Sequence, residues 1–234
     1  MGILKKTVVC LANSRKHSGR CVAGIEVLPG RDGNGAPGPW VRPIRDRENQ
    51  ELKKDECRYS QNGHPEVLDV IDIPLISRSP VGHQTENWLL DRSQQWKKTG
   101  RVSKWNSLTA IPIAESLWEP GWSSNKGMND KIPEYKVEGI NTSLAWIKIP
   151  EMVLSVSEDD NFGSGKRKLR GSFSFAGTGY KLTVTDPECE RRWFQEGSGD
   201  YPIAESFLTI SLTQPWRGNC YKVIAAVIEK DQIS

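Results

Sequence analysis

Two halves of this 234-residue chain carry the same ordered set of elements, and that repetition constrains the fold more than any single motif. The second half shows it better. Residues 144–156, 168–175 and 180–184 are apolar runs rich in β-branched side chains, which reads as three strands. A helix start follows at Thr185, Asp186, Pro187 and Glu188: a cap, a proline suited to the first turn, and an acid facing the helix dipole. Glu190 adds to the acidic first turn, and Gly197 or Gly199 supplies the stop. Two more strands follow at 207–212 and 219–228, the last apolar throughout 223–228 and so buried on both faces.

Three strands, a helix and two strands is the order of a five-stranded Greek-key barrel of the OB type. The first half repeats the plan more loosely. Residues 7–12 form a continuous apolar run, 13–19 a polar loop, 20–28 a strand, and 29–39 a long Gly/Pro-rich loop. A short strand at 40–44, a polar helix or turn at 46–56, a strand at 67–73 stopped by Pro74, and a short fifth strand at 87–90 complete it. Residues 91–142 lack alternation and hold Trp96, Trp105, Trp118 and Trp122, which reads as a packed connector with one helix near 93–98. The expected fold is all-β: two tandem OB-like barrels at 1–90 and 143–234, joined by a partly helical connector at 91–142.

Charged residues at 26% and hydrophobic ones at 36% describe a soluble globule. No run approaches the roughly 20 apolar residues of a membrane helix. The first residues lack the apolar core of a signal peptide, and Lys6 stands where a myristoylation signal needs Ser or Thr. The five cysteines form no CxxC pair, and Cys10 and Cys220 lie in apolar strand runs, so reduced thiols in a cytoplasmic protein are expected. His17, His64 and His83 stand at no zinc-ligand spacing. Neither metal nor cofactor is expected. The sequon at Asn141 carries no weight in a cytoplasmic chain.

Net charge is only +3, so any case for nucleic acid has to rest on local clusters. OB barrels hold ligands on strands 2 and 3, between the loops joining strands 1–2 and 4–5. In the first half the 1–2 loop brings Arg15, Lys16 and Arg20, while Trp40 and Arg42, two apart on the third strand, share a face. The 4–5 loop adds Arg78 and His83. In the second half the corresponding loops bring Lys166, Arg167, Lys168 and Arg170, and then Trp216 and Arg217. Cations beside an aromatic on a barrel face supply phosphate neutralisation and a stacking platform, the two needs of single-stranded nucleic acid. The plainer alternative is that the cations solvate loops and the tryptophans fill core.

Other motifs are weaker. Gly163 to Lys166 resembles the tail of a P-loop, but Arg167 replaces the Ser or Thr and Asp160 the leading glycine. Asp159, Asp160 and Asn161 hint at calcium without a closing Glu. Asp69 and Asp72, three apart on one strand, face opposite sides and make no carboxylate pair. The stretch 96–105 interleaves cations and tryptophans, either as an extension of a binding path or as a connector with a solvated basic face. No Ser/His/Asp or Cys/His set is legible, so the chain reads as non-catalytic.

Several stretches carry a family resemblance: VVCLANSRK at 8–16, GRCVAG at 19–24, WVRPI at 40–44, LDVIDIPL at 68–75, ENWLL at 86–90, LTVTDP at 182–187 and CYKVIAAVI at 220–228. Together they resemble the bacterial dual OB-containing domain family, over nearly the whole chain. The resemblance implies two OB-like barrels and a nucleic-acid role, in a setting of bacterial conflict and antiviral defence. It implies no catalytic residues. The long loop at 29–39 departs from the pattern at the first groove. Three functions follow: a non-catalytic module for single-stranded or unpaired DNA or RNA, a protein-binding subunit of a multi-component assembly, and, disfavoured, an RNA- or nucleotide-processing enzyme.

Overall fold

The structure, a computed structural model, describes residues 4–16, 18–30, 35–46, 50–158 and 167–233. Strand accounts for 54% of it and helix for 11%, which makes the protein all-β. The chain divides into two compact units, Met1–Pro112 and Ile113–Ser234. The Trp-rich stretch at 91–142 is therefore shared between them.

In the first unit the strands are β1 (Leu4–Lys16), β2 (Gly19–Pro29), β3 (Gly35–Ile44), β4 (Asp69–Arg78), β5 (Asn87–Leu90) and β6 (Lys97–Arg101). Their order is β1-β2-β3-β5-β4-β6, and an additional β1–β4 pairing closes the first five into a barrel. β3 and β5 run parallel, while the other neighbours are antiparallel. Closure depends on β1 serving two partners. Leu4–Val9 pairs with β4 and Val8–Lys16 with β2, and the register shifts between Cys10 and Ala12. Such a bulge bends and twists a strand, as turning the corner of a small barrel requires. Gly24 sits opposite Cys10, where an added Cβ would lie 2.1 Å from the Val9 carbonyl oxygen, so only glycine fits. Val8, Cys10, Val22, Val41, Ile71, Ile73, Leu75 and Leu90 fill the interior together with Trp96.

The helix expected near 93–98 is not there. Lys97–Arg101 is β6, hydrogen-bonded to β4 from Asp69 to Asp72. Helix in the stretch 91–142 is limited to one short α turn, α1 (Trp105–Leu108), and a 3-10 turn at Glu134–Lys136. In the β3–β4 connection the polar helix or turn expected at 46–56 is one 3-10 turn at Lys54–Cys57, with 47–49 outside the described residues.

The second unit contains β7 (Lys131–Pro133), β8 (Leu144–Ile149), β9 (Met152–Glu158), β10 (Arg167–Phe175), β11 (Thr178–Val184), α2 (Pro187–Gln195), β12 (Gly199–Ile203), β13 (Ser206–Leu212) and β14 (Asn219–Glu229). The sheet order is β12-β9-β10-β11-β14-β13-β8. The run expected as one strand at 144–156 is two, parted at Pro150 and Glu151, because proline has no N–H for the ladder. β9 pairs with β10 and β8 with β13, so the halves of one bent strand again serve two partners. β11 and β14 run parallel, as β3 and β5 do in the first barrel. The same OB order is thus traced twice, with a bulge at the corner in one barrel and a full break in the other. β12 is an added edge strand that the sequence did not announce.

α2 lies between the third and fourth barrel strands and begins as its sequence requires. Asp186 Oδ1 accepts from the Glu188 and Cys189 amides at 3.0 and 3.3 Å, Pro187 opens the first turn, and Gly197 follows the end at a φ of +90°. Asp186 Oδ2 also accepts from Val227 N–H at 3.2 Å, which ties the helix start to β14.

Candidate nucleic-acid interface

At the end of the β1–β2 hairpin Arg15 stands opposite Arg20, and Lys16 opposite Gly19. Arg15 is exposed, while Lys16 and Arg20 are half-buried. Like charges set directly across a hairpin repel unless an anion or a carboxylate lies nearby. Burial pulls the Lys16 ammonium below its ordinary pKa, with Cys21, Arg42 and Glu51 all near enough to act on it. This unit is also the cationic one. Met1–Pro112 holds 18 basic and 12 acidic residues, a net +6, whereas Ile113–Ser234 holds 14 and 17, a net −3. The modest total therefore conceals a strongly basic half.

Trp40 is half-buried on β3, opposite Ile25. Arg42 does not join it as a surface cation. Its side chain is 3% exposed and its Nη2 lies 2.8 Å from Glu86 Oε1, so in this structure the guanidinium is an internal ion-pair partner and presents no exposed phosphate contact. Two-residue spacing gives the face of a strand, but burial of that face depends on what packs over it.

In the second unit the β13–β14 loop turns tightly at its tip. Trp216 N–H donates to the Asn219 carbonyl at 2.8 Å and Asn219 N–H to that of Trp216 at 3.1 Å. Arg217 and Gly218 between them have φ of +49° and +72°, the pattern of a type I′ turn. Trp216 is 58% exposed, the Arg217 guanidinium lies 4.6 Å from its ring centroid, and Tyr221 lies 6.1 Å away with planes tilted by 55°. Arg167, exposed at the start of β10, donates Nη1 to the Phe194 carbonyl in the last turn of α2, a C-terminal cap. Lys166, the P-loop-like Gly163 to Lys166 and the calcium-like Asp159 to Asn161 lie outside the described residues.

Two cations of the basic stretch after Trp96, Lys98 and Arg101, pair with a buried carboxylate of the first barrel while staying partly exposed themselves. Asp69, fully buried, accepts from Lys98 at 2.6 Å, Arg101 at 2.8 Å and Tyr59 Oη at 2.8 Å. Burial pushes its carboxyl up, yet the hydrogen bonds from Lys98, Tyr59 and Arg101 outweigh that and hold it below the ordinary value. Asp72 faces elsewhere, to Lys5 at 2.7 Å and Thr7 at 2.6 Å, and the two carboxylates form no pair. Among the described residues no cluster of three His, Cys, Asp or Glu side chains could hold a metal, and no helix is long and apolar enough to cross a membrane.

One further feature escaped the sequence. A groove of about 960 Å³ in the second unit is lined by Met128, Met152, Val153, Phe173, Tyr180 and Ile203, among others. Met128 and Val153 are 51% and 37% exposed there. Met128 comes from the stretch before the barrel, and its backbone pairing with Lys181, with Asn129 Nδ2 donating to the Gly179 carbonyl at 2.8 Å, brings it over β11.

Two barrels of one strand order, each with a parallel third–fifth pair, match a sequence profile described as the dual OB-containing domain over residues 6–227. The chain belongs to the dual OB-containing domain family. No curated protein matches it. The dual OB architecture suggests a binding module; OB barrels in general take ligands on strands 2 and 3.

Proposed function

We propose that this dual OB-containing domain is a non-catalytic, cytoplasmic binding module for single-stranded or unpaired nucleic acid, in the bacterial defence setting its family resemblance implies. The observation that carries the reading is the Trp216–Arg217 pair: a tryptophan more than half exposed, with a guanidinium over its ring, at the tip of a 4–5 loop. Exposing a tryptophan costs apolar burial, and a stacking base recovers it at about 1–3 kcal/mol per base. The first barrel contributes charge through Arg15, Lys16 and Arg20, with Trp40 as a partly covered platform, and its net +6 gives the ligand long-range attraction.

A gel-shift panel of single- and double-stranded DNA and RNA at two salt concentrations tests this reading. Binding should favour the single strands and weaken steeply with salt. Failure to shift any of the four, or equal affinity at both salt concentrations, would end it. The groove at Met128 and Val153 favours a second reading, a protein-binding assembly subunit, since flexible thioethers on an open apolar surface suit a partner's side chains. Affinity for such a partner would be much less sensitive to salt.

A further inference from the structure

The first barrel keeps two cations beside two of its own carboxylates, Arg42 on β3 and Lys16 at the end of β1, next to the strand and the 1–2 loop where an OB barrel takes its ligand. Arg42 and Glu86 form an ion pair at 2.8 Å with each side chain only 3% exposed. The backbone repeats the contact: Arg42 N–H donates to the Glu86 carbonyl at 2.9 Å, and Arg42 stands beside Asn87 where β3 meets β5. Lys16 lies near enough to Arg42 and Glu51 for both charges to bear on its ammonium. Glu51 is 9% exposed, and its Oε2 has no hydrogen-bond partner among the described residues.

Glu86 closes the loop that joins β4 to β5. His83 and Gln84 of that loop are buried at 5% and 3% exposure. Val81 and Gln84 exchange backbone hydrogen bonds at 3.0 and 3.3 Å, and Arg78 reaches the Thr85 carbonyl at 3.1 Å. The loop is thus a folded unit whose last residue holds the arginine on β3.

A guanidinium grips a carboxylate and a phosphate with the same planar fork, so the two anions compete for one arginine. We propose that Glu86 stands in for a ligand phosphate on Arg42, so that the β4–β5 loop keeps the first barrel's groove closed until a phosphodiester displaces it. This rests on the nucleic-acid reading above and adds its regulation. Trp216 in the second barrel meets the ligand directly. The first barrel engages only by exchanging an internal carboxylate for an external phosphate, which sends Glu86 out to water. Arg42 is 2% exposed, so no ligand atom reaches it without movement of the chain around it.

The test has two arms. In the parent protein, an oligothymidylate or inorganic pyrophosphate should speed amide hydrogen exchange at Arg42, Ser79 and Gln84 relative to sodium chloride of equal ionic strength. Glu86→Gln, which keeps the shape and removes the charge, should bind both probes more tightly, on the order of fivefold or more. The gain should vanish in Glu86→Gln combined with Arg42→Gln. Unchanged exchange with both probes overturns the proposal, as does a folded Glu86→Gln with no gain or a gain that survives loss of Arg42. If oligothymidylate never binds the parent while pyrophosphate still opens the loop through Arg42, the nucleic-acid reading fails and the latch stands. If Glu86→Gln does not fold, exchange in the parent decides.

Discussion

The guanidinium of Arg217 lies 4.6 Å from the centroid of the Trp216 ring, and the two residues are neighbours in one tight turn. Adjacent side chains on an extended strand point to opposite faces, so this contact needs a special backbone. Arg217 supplies it with a φ of +49°, followed by Gly218 at +72°. A non-glycine residue in the left-handed region costs free energy and persists where the surrounding turn over-determines it. Here the cost places a cation over an aromatic plane that is open to solvent.

Trp216→Ala should weaken single-strand binding by about 1–3 kcal/mol without changing the salt slope, because stacking releases no counterions. At 58% exposure the ring adds little to the core, so the melting temperature should hardly move. Fluorescence anisotropy at several salt concentrations, run beside a thermal melt, checks both halves. A folded variant that binds as tightly as the parent removes Trp216 from the interface.

Arg217→Gly should separate function from stability. Relieving the left-handed strain stabilises the fold by up to about 1 kcal/mol. Loss of the cation should lower the magnitude of the salt slope on a single strand by about 0.7 unit. A more stable protein that has lost one phosphate contact is the expected phenotype, read from urea unfolding and the salt dependence together. An unchanged salt slope would make Arg217 a turn residue only.

The strand order and the α2 cap were legible because both are local signals: apolar runs of strand length, and Asp186 followed by proline. The parting of β8 from β9 was legible in principle at Pro150, but continuous hydrophobicity hid it. β6 was not legible. Lys97 to Arg101 has no apolar alternation, and it becomes a strand because Asp69 and Asp72 on β4 sit opposite its cations. The same limit applies to Arg42. Its face could be read from spacing, whereas its counter-ion Glu86 is 44 residues away and only the parallel β3–β5 pairing brings the two together. Sequence found the exposed pair on the 4–5 loop, where a turn presents neighbours to solvent. It could not show the burial of Arg42, whose surroundings are assembled from distant segments.

Arg42→Gln should cost folding stability, on the order of 3–5 kcal/mol, because it leaves the Glu86 carboxylate buried without its counter-charge. Pairing it with Glu86→Gln should recover much of that loss, since two neutral amides leave no uncompensated charge. Urea unfolding of the four-member cycle reads the coupling directly. Costs that simply add would show that the pair contributes nothing to the first barrel.

Lys222 on β14 has the clearest dependence on pH. It is 1% exposed, its Nζ donates to the Glu119 carbonyl at 3.0 Å, and it lies 5.4 Å from the Tyr180 ring centroid. Burial, only partly offset by Asp130 and Glu119, pulls its ammonium down to about 8. In the unfolded chain the same group titrates near about 10.4. Between those values the unfolded state holds the proton and the folded state does not, so the group makes stability rise with pH across the window. Below about pH 8 the folded state carries the buried charge and its cost in full. Lys222→Met keeps the length and removes the charge, losing one hydrogen bond worth about 0.5–1.5 kcal/mol. The variant should therefore gain on the parent most at neutral pH and lose that advantage toward about pH 10. Urea midpoints at three pH values decide it: an offset independent of pH would mean that the Lys222 amine titrates alike folded and unfolded.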